Sequence, residues 1–87
     1  MVDYESALAV ANLTQEEVDA IARHEDMTAT AALELGNYLT QTPEGERRLK
    51  AIILDEIEVA KERGDHATAG RLKMVVKEFV RSHQKSG

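Results

Sequence analysis

Eighty-seven residues without a cysteine set the first limits: a single domain, no disulfide framework, no thiolate metal site and no thiol nucleophile. A formal charge of −5 weighs against non-specific binding to nucleic acid or anionic lipid, since both depend on neutralising negative charge. The first residues include Asp3 and Glu5 and no apolar run of signal-peptide or membrane-span length, which reads as a cytoplasmic protein without membrane association.

That charge is unevenly placed. Residues 1–46 hold ten acidic residues against the lone basic Arg23, and residues 47–87 hold ten basic against six acidic, about −9 and +4. Asymmetry of this kind bears on association: either the two halves complement each other within the fold, or the acidic half offers a face to a protein partner.

One proline, five glycines, an abundance of Ala, Leu, Glu and Lys, and no alternating β-branched run make the sequence all-α. The first helix spans about 3–11, with Asp3 as cap and Ala7, Leu8 and Ala11 on one side. The second spans about 14–24. Thr14 and Glu17 form a capping box, Leu13 and Val18 hold the positions of a hydrophobic staple, and Val18, Ile21 and Ala22 give the apolar stripe.

Asp26 or Thr28 caps the third helix, about 28–40, whose bulk comes from Leu35, Tyr38 and Leu39. Its Ala32 and Gly36 stand four apart, a small-residue face open to close approach. Thr42 before Pro43 starts the fourth helix, about 43–63, with Leu49, Ile52, Ile53, Ile57 and Ala60 on its stripe and Gly64 placed to close it. Asp65 caps the fifth, about 66–82, with the stripe Ala69, Leu72, Val76, Phe79 and Val80. So short a turn between the last two helices predicts an antiparallel hairpin. The expected fold is thus one domain, 1–87, an all-α bundle of four or five helices built on that hairpin, with Ile53 and Phe79 in its core.

Leu54 and Val59 on the fourth helix, and Met74 and Val75 on the fifth, lie off the main stripes. Apolar residues over more than one face imply burial on both sides, so these four are the candidate interface of a homodimer, unless the first three helices cover them.

Residues 18–33 resemble the helix-turn-helix of bacterial transcription regulators, with Ala22 as the small residue of the first helix and Met27 as the apolar residue after the turn. The resemblance implies DNA binding through the second of those helices. Asp26 stands where the motif has glycine, and Glu25 where it buries an apolar residue. The would-be recognition helix, 28–40, holds Glu34 and no basic residue to read base edges or reach phosphates, so nucleic-acid binding is not expected.

A metal site would draw on His24, Glu25 and His66, with Asp26, Asp65 and His83 beside them; imidazole with carboxylate suits iron, manganese or zinc. A bundle site commonly places Glu three residues before His, yet those positions hold Ile21, Arg63 and Val80. His24 and Glu25 are neighbours, pointing about 100° apart on a helix. Each residue also has a structural role to fill. Asp26 and Asp65 suit caps, His24 and His83 suit helix C-termini, and His66 suits a first-turn surface position. A site shared between subunits remains open.

No nucleophile turn and no glycine-rich phosphate loop occurs in the sequence, so an enzyme is not expected, and neither is a cofactor. Lys73, Lys77 and Arg81 repeat every four residues and form a basic face on the fifth helix, suited to phosphate, an acidic partner or the acidic N-terminal half of a second subunit. The expected function is a non-catalytic, self-associating interaction or regulatory module. A metal-binding helical protein comes second and a DNA-binding regulator third.

Overall fold

In a computed structural model describing residues 4–10 and 13–84, the chain forms α1 (Tyr4–Val10), α2 (Gln15–Glu25), α3 (Ala29–Leu39), α4 (Pro43–Glu62) and α5 (His66–Gln84). Among the described residues there is no strand, and the protein is a small all-α bundle. The expected cap Asp3 and the end of the first helix at Ala11 lie outside the described residues, as does the side chain of His83.

Local chemistry sets most helix ends. Glu17 donates its backbone N–H to Thr14 Oγ1 at 3.2 Å, while Thr14 N–H is accepted by Glu17 Oε1 at 2.7 Å, so the capping box is complete. Leu13 and Val18 are buried beside it. Thr28 caps α3 by accepting from Ala31 N–H at 3.2 Å. Asp26 has the other role: at φ 54 it adopts the left-handed conformation that ends α2, and Met27 N–H returns to the Ala22 carbonyl at 3.0 Å. Aspartate tolerates that conformation better than most residues, so it replaces the usual glycine.

Thr42 and Pro43 open α4 as the sequence predicts, with Gly45 N–H donating to Thr42 Oγ1 at 3.0 Å. Gly45 is there for space: a Cβ on it would strike the carbonyl of Leu39 at the end of α3. At the far end of α4, Gly64 takes φ 76, Gly64 N–H bonds to Lys61 O, and Asp65 N–H bonds to Ala60 O. That is the Schellman pattern, satisfying carbonyls the helix leaves free. Asp65 then accepts from Thr68 N–H at 3.1 Å and starts α5.

The core combines Val18, Ala20 and Ile21 of α2 with Ala32, Leu33 and Leu39 of α3. Leu49, Ile52, Ile53 and Ile57 of α4 and Ala69 and Leu72 of α5 complete it. The contact between α4 and α5 is the most extensive in the molecule, and α2 packs against α3, α4 and α5. Ile53 is fully buried as expected. Phe79 is a correction: it is only partly buried, packing against the edge of the core. Tyr38, one of the bulky residues of the third helix, is 71% exposed on the side of α3 facing away from the bundle. The small face of α3 is turned inward, with Leu13 and Ile21 side chains packed against Gly36, so it is already used within the chain. No helix of the described residues is long and apolar enough to cross a membrane.

Candidate functional site

Two polar clusters tie helices together. Arg23, near the end of α2, donates through Nε to Glu56 Oε1 on α4 at 3.3 Å. Glu56 is 7% exposed and sits within the apolar stripe of α4, so the guanidinium compensates a carboxylate that burial would otherwise penalise. The sequence reading missed this pair. The available signal was an acid between Ile52, Ile53 and Ile57, on the face that turns inward.

His24 forms the second cluster. Its Nδ1 lies 2.7 Å from Glu25 Oε2 and its Nε2 lies 3.1 Å from Asp55 Oδ2 on α4. The Glu25 hydrogen bond above all, with that of Asp55, raises the imidazole pKa from its ordinary value against the opposing effect of partial burial. Protonated, the ring donates to both carboxylates and links two helices.

Of the candidate metal ligands, His24 and Glu25 therefore meet, but each ring nitrogen is turned to a different carboxylate. His66 is exposed in the first turn of α5. Among the described residues no group of three or more such side chains is placed to hold a metal ion. The helix-turn-helix resemblance falls on α2 and α3, joined through left-handed Asp26, and α3 presents Glu34 and no Lys or Arg.

The four candidate interface residues separate into two groups. Leu54 (44% exposed) and Val59 (36%) are five residues apart on α4, about 140° around the helix, on opposite shoulders of its buried stripe. Met74 (60% exposed) and Val75 (partly buried) lie together in an open groove of about 500 Å³ between α2 and α5. With Phe79 they form its apolar floor. Glu16 and Glu17 of α2, Glu46 of α4 and Glu78 of α5 stand around it, with Arg71 as the basic residue of the lining. Two helix starts meet at this rim, those of α2 and α4, each with acids in the first turn.

On α5, the exposed Lys73, Lys77 and Arg81 form the basic edge that the sequence predicts, bordering Met74 on the side away from the groove. Arg81 Nη1 lies 3.1 Å from Glu78 Oε1, and Arg71 Nη2 donates to Thr68 Oγ1 at 3.3 Å. Comparison with protein-family models, with curated proteins and with solved structures finds no match for this chain.

Proposed function

We propose that the chain is a non-catalytic interaction module of the cytoplasm that works by self-association. The observation that carries this reading is the groove between α2 and α5, where Met74, Val75 and Phe79 leave an apolar floor open under an acidic rim. Scattered exposed apolar residues such as Leu54 are ordinary on a small protein, whereas a concave apolar surface with a polar rim is the usual form of a binding site. The rim acids already have structural or electrostatic roles. Glu17 closes the capping box, and Glu78 pairs with Arg81. These roles suit orienting a charged partner better than moving protons.

A second copy of the chain supplies a matching surface, because Arg71 and Glu78 of α5 both line the groove and give that face charges of both signs around its apolar residues. Sedimentation equilibrium of the full chain at micromolar concentration is the test. The expected mass is that of two chains, and the mass of one chain across the whole range overturns the reading.

A further inference from the structure

Resting on that self-association, we infer that the groove receives α5 of a second copy, the two α5 helices crossing antiparallel at Met74 and Val75. The argument begins with Arg71 and Glu78, which both line the groove. Seven residues apart, they share one face of α5 at a separation of about 10 Å along the axis, with Met74 and Val75 midway between them. A twofold axis through that midpoint brings Arg71 against Glu78 of the partner subunit, and repeats the pair by symmetry. The same operation lays Met74 on Val75 of the partner subunit. Parallel alignment would set arginine against arginine and glutamate against glutamate, so the charges select the antiparallel register.

The apolar lining of the groove agrees with this placement. The two symmetric Arg71–Glu78 pairs flank an apolar centre of Met74, Val75 and Phe79, the arrangement of an interface core with a polar rim.

The test exchanges the charges. Arg71 and Glu78 are both exposed, so the chain's own core does not depend on them, and circular dichroism with urea unfolding checks that each variant folds. In sedimentation equilibrium, Arg71→Glu alone and Glu78→Arg alone each raise the dimer dissociation constant by about a hundredfold, because symmetry repeats each like-charge contact. The double variant Arg71→Glu/Glu78→Arg returns it to within about threefold of the parent, whereas Leu54→Glu and Val59→Glu leave it unchanged. A dimer indifferent to both single exchanges, or not restored by the double one, overturns the docking geometry while leaving self-association standing. Loss of the dimer in Leu54→Glu or Val59→Glu moves the interface to α4 and also overturns it. A parent chain that stays monomeric ends both readings together.

Discussion

Replacing Gly45 by alanine tests the packing of the corner between α3 and α4. In a helix interior the change adds stability of about 1 kcal/mol, since alanine loses less backbone freedom than glycine. At Gly45 the new methyl group meets the carbonyl oxygen, carbonyl carbon and Cα of Leu39, which is backbone and cannot swing aside as a side-chain tip would. Relief requires the start of α4 to move away from the end of α3, and Leu39 and Leu49 on either side of the contact are buried. Overpacking of this kind costs about 1 to 3 kcal/mol and more where backbone must shift, so the expected net loss is about 1 to 2 kcal/mol. For a domain of this length that lowers Tm by about 5 to 15 °C. Gly70→Ala is the matched control, because nothing lies within 4 Å of its Cβ position and the propensity gain should appear unopposed as a small rise in Tm. Thermal unfolding of the two variants beside the parent decides the matter. If Gly45→Ala were as stable as the parent, or more so, the close approach of the Leu39 backbone would be wrong.

Ile53→Ala should cost about 2 to 5 kcal/mol in urea unfolding, whereas Phe79→Ala should cost less than the 3 to 5 kcal/mol typical of an enclosed ring, about 1 to 2, because the ring is only partly buried. Equal losses at the two positions would place Phe79 in the core after all. His24 has a raised pKa in the folded chain, so its stabilising contribution is complete below the unfolded value and is lost as pH rises through the folded one. His24→Gln should therefore destabilise more at about pH 5.5 than at about pH 8.5, and a loss independent of pH would remove the charged bridge to Glu25 and Asp55. Arg23→Ala leaves the Glu56 carboxylate without its cation and should cost about 1 to 3 kcal/mol, while Arg23→Met with Glu56→Leu should recover most of it. If the double variant is no better than the single, the pair contributes more than mutual compensation.

Helix starts were legible in the sequence because capping is a local affair of three or four residues. Thr14 with Glu17, Thr42 with Pro43, and Asp65 each perform in the fold the role their order implies. Asp26 was ambiguous because aspartate suits both a helix start and a left-handed end, and Thr28 two residues later decided between them. Stripes gave direction without depth. Phe79 follows the periodicity of Leu72 and points toward the bundle, but it lies along the groove, where α2 leaves it partly uncovered. Glu56 shows the converse, an acid on the inward face whose partner, thirty-three residues away, periodicity cannot supply. Met74 and Val75 could be separated from Leu54 and Val59 only once neighbouring helices were placed, since all four are equally off their stripes in sequence.

The acidic rim has a second origin that limits what its charges can do for docking. Glu16, Glu17 and Glu46 stand in the first turns of α2 and α4, where acids are favoured because the unpaired amides there carry about half a positive charge. The rim is therefore less negative than its carboxylates suggest, since two helix starts partly neutralise it. Changing Glu16 or Glu17 would also alter a helix start, confusing a weakened dimer with a weakened fold. Glu78 and Arg71 are free of that ambiguity, lying well inside α5, more than a turn from either end. Their field is uncompensated by helix termini, so the selectivity of the proposed contact rests on them and not on the more numerous acids opposite. Added salt should accordingly weaken the association only modestly, whereas reversal of either charge should weaken it strongly.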